Sequence, residues 1–196
     1  MKHDVRLRGR AFGLRPAEVS DCAFIVGLRS AAGHGLNRGA TSVEAQQAWM
    51  ERYFARDDDY YFVVERVVGG GREGLAGIYD VDRDSRCAEW GRFVLRDGSV
   101  AAVEAAMLVY RCAFETMGLD RIYCRTLADN SQVIAFHDSC GLARSEAEVM
   151  VGQDGAQRAA IEHSLRHEAW PPIRDRLDRL VARIAGSIDA FAATRR

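Results

Sequence analysis

A strand, a short turn and a long helix follow one another through Ala88-Glu89-Trp90-Gly91-Arg92-Phe93-Val94-Leu95-Arg96-Asp97-Gly98-Ser99-Val100-Ala101-Ala102. That order sets unpaired N–H groups at a helix N-terminus beside the end of a strand. The helix dipole is positive there, so such a corner binds anions, a diphosphate among them. Glu89 lies mid-strand, where a carboxylate can take a proton from an amine, directly or through water. Its plainer reading is a charge on a solvated strand face, paired with Arg92 or another neighbour. Strict alternation puts Glu89, Gly91 and Phe93 on one face, and Trp90, Arg92 and Val94 on the other. Further on, Asn130 reads as a helix cap, and His137 as an imidazole on a short amphipathic helix, titrating near ~6.5.

Other polar residues invite a functional reading and have a plain one. Asp80 and Asp82 end a strand, where they either meet an amine or simply make a turn. His34 and Asn37 sit in a glycine-rich loop that either covers a substrate or is plain surface. His163 and His167 are spaced i,i+4, which on a helix would suit a metal, but no HExxH arrangement accompanies them and no metal is expected.

The elements that position these residues can be read from periodicity and caps. Phe12–Pro16 reads as an edge strand, and Ser20-Asp21 as the cap of a helix to about Arg29. Gly33–Gly39 is a loop. Thr41-Ser42-Val43-Glu44 has the form of a capping box opening a helix to about Ala55. Tyr60–Val67, Leu75–Val81 and Cys87–Leu95 form an antiparallel meander with a hairpin tip at Gly69-Gly70-Gly71. The central helix spans Val100 to Met117 with Gly118 as its left-handed cap. Arg121–Leu127 is a strand, and Asn130 to Gly141 brackets a helix over Ser131–Cys140. Ala147–Val151 and Ala159–Leu165 are the last strands, joined by a turn at Gly152–Gly155. Pro171-Pro172 opens a final helix with the stripe Ile173, Leu177, Leu180, Ile184, Ile188 and Phe191. The order is neither alternating βαβ nor all-β, so a mixed sheet with helices on both faces follows.

Composition narrows the class. The chain has 196 residues, of which 48% are hydrophobic, enough for a real core. A net charge of -1 supplies no bulk basic field for nucleic acid or an anionic membrane. The five cysteines form no CxxC pair and read as reduced core residues. No run is long enough to cross a bilayer, and no signal-type segment opens the chain, so a cytoplasmic setting is expected.

Three stretches together resemble the GNAT superfamily of acyl-CoA-dependent N-acetyltransferases. They are Ala88–Ala102 with its helix; Phe114-Glu115-Thr116-Met117-Gly118-Leu119-Asp120-Arg121-Ile122; and Ala128-Asp129-Asn130-Ser131 with Phe136-His137-Asp138-Ser139-Cys140-Gly141-Leu142. The likeness covers roughly Phe12 to Leu165. It implies an α/β (α+β) fold with a mixed, mostly antiparallel sheet, helices on both faces and splayed strands at a cofactor cleft. A domain over residues 1–168 would then carry an appended amphipathic helix over 169–196, packed on its own domain or on a second copy as a homodimer.

The resemblance also implies roles. Cys87–Leu95 and Arg121–Leu127 would part, with the pantetheine arm of acetyl-CoA along the main chain of Phe93, Val94 and Leu95. The diphosphate would sit on Arg96, Gly98, Ser99, Val100 and Ala101, and Asn130 would reach the coenzyme. Glu89 would act as base, and His137, where many members have tyrosine, as the acid for the leaving thiolate. The turn departs from the usual Q/R-x-x-G-x-G/A, with Ser99 in place of glycine; its hydroxyl would cap the helix and donate to phosphate. The acceptor implied is a small-molecule primary amine, closest to an amino sugar, often nucleotide-linked, with Arg92 and Arg125 for its phosphates. Ribosomal-protein-type acetylation of an N-terminus, or of an aminated antibiotic, are the other enzymatic readings. A non-catalytic acyl-CoA sensor is the reading from a different class.

Overall fold

A computed structural model describes residues 2–31, 39–151 and 156–193. His34, Asn37 and the Gly152–Gly155 turn lie outside the described residues. One eight-stranded sheet runs in the order β1-β2-β3-β4-β5-β6-β8-β7. Its strands are β1 (Leu7–Arg8), β2 (Phe12–Pro16), β3 (Tyr60–Arg66), β4 (Arg72–Asp82), β5 (Cys87–Leu95), β6 (Arg121–Leu127), β7 (Ala143–Val151) and β8 (Gln157–Arg166). All neighbours are antiparallel except β5 and β6.

Residue alternation along β3 explains the two layers. Phe62 and Val64 point into one apolar cluster, Tyr61 and Val63 into the other, and all four are buried. The second cluster is closed by α1 (Cys22–Ala31) and α2 (Val43–Phe54), through Ile25, Leu28, Met50 and Tyr53. The first is closed by α3 (Ala102–Arg111) and α5 (Trp170–Ala193), with Leu108, Leu177 and Val181 inside it. Trp170 anchors α5 by packing on Tyr110 and Phe114 and donating Nε1–H to Glu115 at 3.1 Å. The side chain of Phe191 lies outside the described residues. Among the described residues, no helix is long and apolar enough to cross a membrane.

Several boundaries differ from the periodicity reading, each for a local reason. Ser42, not Thr41, caps α2, its side chain accepting from the Ala45 amide. Asp21 is no simple cap; Glu18 opens a 3₁₀ turn, and the buried Asp21 carboxylate takes both guanidinium arms of Arg15 at 2.7 and 2.8 Å. The central helix does not run uniformly from Val100. It starts at Ala102 and widens after Arg111 into a π turn over Cys112–Thr116, closed by Met117 N–H to Cys112 O at 2.9 Å. Gly118 then turns left-handed at φ 67°, and Leu119 folds back with its amide on Ala113 O. β7 begins at Ala143, earlier than its apolar residues suggest, because it is an edge strand whose exposed Arg144, Ser145 and Glu146 need no apolar partner.

Candidate active site

β5 and β6 form a fork. Their parallel pairing holds at Cys87↔Arg121, Ala88↔Ile122 and Glu89↔Tyr123 and goes no further. Beyond it, β5 stays with β4 as far as Gly74↔Leu95, and β6 stays with β8 as far as Leu127↔Ala160. The main chain from Trp90 to Leu95 therefore borders a gap on its β6 side, and Glu89 stands where the strands part.

A bulge marks the parting. Arg92 has φ 50°, and the register steps from Gly77↔Gly91 to Leu75↔Val94, so Arg92 and Phe93 together oppose Ala76. One extra residue bends a strand and increases its twist. Gly91 permits the close approach here, since a Cβ on it would stand 2.6 Å from the Tyr79 hydroxyl.

The bulge also overturns the strict alternation. Arg92 shares the face of Glu89, its guanidinium lying 4.5 Å from the Tyr79 ring, the same tyrosine that bonds Glu89. Phe93 turns to the face of Trp90, their rings 5.5 Å apart. The extra residue resets the pleat, which an unbroken period of two cannot anticipate.

On the Glu89 face the charges form a chain. Asp59, fully buried, accepts both arms of Arg92 at 2.5 and 2.8 Å, and the guanidinium also lies over Trp49 and Tyr61. Tyr79 donates its hydroxyl to Glu89 Oε1 at 3.3 Å, and Arg125 donates to Glu89 Oε2. Burial, then the Glu89 carboxylate, push the Tyr79 phenol well above its ordinary value, so it remains a donor. Glu89 itself is 4% exposed. Arg92 is committed to Asp59 and is not available to a phosphate as the sequence reading expected. Arg125 is the accessible cation, with 39% of its side chain exposed.

Asp80 and Asp82 take their plain reading. Asp80 pairs with Arg56 at 3.1 Å, and Asp82 caps the turn that follows it by accepting from the amides of Asp84 and Ser85.

Across the fork stands α4 (Ser131–Cys140), capped by Asn130, whose Oδ1 accepts from the Val133 amide at 3.3 Å. His137 is not a surface residue. It is 3% exposed, edge-on to Trp90, and 5.2 Å from the ring of His163. Burial, then the neighbouring His163, lower its pKa to about 4, so the ring is neutral at neutral pH rather than titrating near its ordinary value. His163 lies on β8 and His167 in the 3₁₀ turn after it, so the two do not share a helix face. Among the described residues, no group of three or more His, Cys, Asp or Glu side chains is placed to hold a metal ion.

At the far end of β5, Gly98 takes φ 72° and Ser99 N–H closes the turn on Arg96 O. Ser99 Oγ accepts from the Ala101 amide at 3.3 Å but donates to Glu73 Oε2 at 2.7 Å, so its hydroxyl is engaged by a carboxylate rather than free for phosphate. Glu73 is in turn held by Arg66. Glu104, in the first turn of α3, faces away and accepts from the amides of Arg10, Ala11 and Phe12. Glu73 and Glu104 thus have partners of their own, while Asp97, in the turn itself, is exposed. Val100 is half-exposed at the mouth, Arg96 is exposed, and the first-turn amides of α3 have no intrahelical acceptor. Open β-strand main chain, a helix N-terminus and an exposed arginine in line fit an extended cosubstrate with a charged end.

Sequence reasoning missed Asp59, Tyr79 and His163 as parts of this site. Tyr79 and Glu89 are direct register partners, so correct pairing of β4 with β5 would have found that contact.

Comparison with known proteins follows the same lines. The family profile described as an acetyltransferase (GNAT) domain matches residues 12–143. A search of curated protein sequences finds no match. Among solved structures, apo FdhC, described as a nucleotide-linked sugar GNAT, superposes with a TM-score of 0.76 at 22% identity, over 91% of this chain and 99% of that one. A mutant spermidine N-acetyltransferase, SpeG from Vibrio cholerae, superposes with a TM-score of 0.72 at 16% identity, over 83% of this chain and 98% of that one.

Proposed function

We infer the function from one premise: this chain belongs to the GNAT acetyltransferase family and is an acyl-CoA-dependent N-acetyltransferase. We propose that it acetylates the primary amine of an amino sugar, nucleotide-linked, with acetyl-CoA as cosubstrate. The observation that carries this reading is Glu89 at the point where β5 and β6 part, with Arg125 beside it. A carboxylate there serves as base for the amine, and the exposed Arg125 is suited to a substrate phosphate. The described nucleotide-linked sugar GNAT among the structural neighbours supports the same acceptor class.

Bound in the fork, acetyl-CoA supplies an activated thioester carbonyl. The chain's own residues supply the rest. Main-chain groups of Phe93, Val94 and Leu95 orient the arm. Arg96, Gly98, Ser99, Val100 and Ala101 hold the diphosphate, which requires the Ser99 hydroxyl to leave Glu73. Asn130 keeps α4 in place across the gap. Tyr79 and Arg125 hold the Glu89 carboxylate in position. His137 holds the proton for the departing sulfur on its ring N–H.

A thiol-release assay tests the acceptor. Nucleotide-linked amino sugars should release coenzyme thiol faster than polyamines, N-terminal peptides or aminated antibiotics. Faster release with any of the others refutes the acceptor class, and tight acyl-CoA binding without release across the panel favours a sensor. Glu89→Gln should lower kcat about 100-fold with KM little changed if Glu89 is the base.

A further inference from the structure

The ion pair between Glu89 and Arg125 crosses the fork. Glu89 and Tyr123 are the last paired residues of β5 and β6, and Arg125 stands further along β6, where that pairing has ended. Its guanidinium reaches back over the gap and donates from Nη2 to Glu89 Oε2. The Tyr79 hydroxyl donates to Oε1 at 3.3 Å. Both oxygens of the carboxylate that must meet an amine are therefore engaged, and one of the two donors bridges the place where the strands part.

The two partners are held very differently. The Glu89 side chain is 5% exposed, and that of Arg125 is 39% exposed. Tyr79, beside Glu89 in the sheet, pins one side of the pair. Arg125 rests on the Tyr123 ring, its guanidinium 5.8 Å from the ring centre. Glu162 faces Arg125 in register but is bonded to Arg121 at 2.5 Å. Among the described residues, Glu89 is the one carboxylate paired with Arg125. Arg125 is thus the side of the pair that can move. Its guanidinium stays charged at any working pH, and phosphate binds such a group with two parallel hydrogen bonds. Removing it alone would leave a buried carboxylate without its counter-charge, which is costly. An exchange at Glu89 therefore needs an incoming cation as well as an anion to receive Arg125. A molecule that carries both an ammonium and a phosphate brings the two together.

We propose that Arg125 is a gate on Glu89, opened by an acceptor that carries its own anion: the phosphate draws the guanidinium off Oε2, and the acceptor's ammonium takes its place on the carboxylate. This rests on the reading above that the acceptor is a nucleotide-linked amino sugar and that Glu89 is its base. The exchange makes and breaks no covalent bond, and the buried carboxylate faces one cation before it and one after. Tyr79 keeps its bond to Oε1, so Glu89 does not turn. A free amino sugar brings only the cation, and must displace Arg125 into water with no anion to receive it. Selection for a charged acceptor then shows in turnover as well as in binding. Arg125 becomes a specificity-determining residue, because it closes the base against amines that lack a phosphate.

The test is thiol release at saturating acetyl-CoA from one amino sugar, free and nucleotide-linked, with inorganic pyrophosphate as the added anion. In the wild type the linked sugar should turn over about 10-fold faster than the free one, the scale of one charge-assisted hydrogen bond. Pyrophosphate should raise kcat for the free sugar. Arg125→Met keeps a flexible apolar stem and removes the charge and the donors. Its kcat for the free sugar should rise about 10-fold, its KM for the linked sugar should rise, and pyrophosphate should no longer stimulate it. If Arg125→Met instead lowers kcat for both sugars alike, the gate is overturned and Arg125 only positions Glu89, with the acceptor reading intact. A second readout needs no turnover: calorimetry of pyrophosphate binding with saturating coenzyme A already bound. Glu89→Gln should tighten that binding about 10-fold when Arg125 is present and hardly at all in Arg125→Met. Equal tightening in both backgrounds would mean plain charge repulsion by Glu89 and would also overturn the gate. If the wild type acetylates polyamines or peptides faster than either sugar, the acceptor class falls, and the calorimetric cycle alone decides whether Arg125 exchanges Glu89 for an anion.

Discussion

The two faces of β5 solve opposite problems. On one face, Glu89 and Arg92 are charges, and each has a partner: Asp59 for Arg92, and Arg125 and Tyr79 for Glu89. On the other, Trp90 and Phe93 are packed apolar rings, yet Trp90 Nε1 and three neighbouring polar atoms are unpaired. The contrast teaches where each kind of chemistry can happen. Paired charges in fixed positions suit a base that must be held in one geometry. Unpaired polar atoms on packed rings are instead a cost to stability, roughly 1–3 kcal/mol each. A single bulge separates the two sets, by moving Arg92 to one side and Phe93 to the other.

The largest effect should come from breaking the paired face. Asp59→Ala leaves Arg92 buried among Trp49, Tyr61 and Tyr79 without its counter-charge, at a cost of about 3–5 kcal/mol in urea unfolding. A loss below about 1 kcal/mol would mean that Arg92 escapes to water, as in a surface pair.

The other face should answer to acid. His137 is lowered from 6.5 to about 4 by burial and its histidine neighbour. Above pH 6.5 the ring is neutral folded or unfolded and contributes no pH dependence. Below it the unfolded chain binds the proton that the folded chain refuses. Stability therefore falls as pH drops from 6.5 to about 4, by up to about 3 kcal/mol from this residue. His3 is lowered to about 4 as well, chiefly by burial, so the clean readout is the difference between wild type and His137→Gln across that window. A slope the same in both would contradict the burial of His137.

A smaller effect sharpens the comparison. Tyr79→Phe removes the hydroxyl held by Glu89 and should cost about 1 kcal/mol, with a several-fold fall in kcat. Loss of stability without loss of rate would make Tyr79 a packing residue only.

How much of this the sequence carried depends on the range of the cause. The limits of β5, β6 and α4 were readable because short-range signals bound them: Asn130 caps α4, and Gly141 ends it at φ 85°. The bulge was not readable, since nothing in an arginine asks for a positive φ; the strand's surroundings impose it. Asp59 carries no local signal of its role, because its partner Arg92 lies 33 residues away. His137 reads in sequence as an ordinary imidazole on a short amphipathic helix, because its burial comes from Trp90 and His163 on other elements. Ser99 was readable as a capping residue, but its donor bond to Glu73 needed the sheet register. Local chemistry was legible, and pairings between distant segments were not.

The central claim is that the gap between β5 and β6 receives acetyl-CoA with its charged end at the start of α3. Hydrogen exchange, with and without acetyl-CoA, measures this directly on peptides spanning Phe93 to Val103. Slowed exchange confined to that segment, with the β1–β2 edge unchanged as an internal control, is the expected result. Saturating acetyl-CoA that leaves those amides exchanging at their free rate, while slowing some other part of the chain, would contradict it.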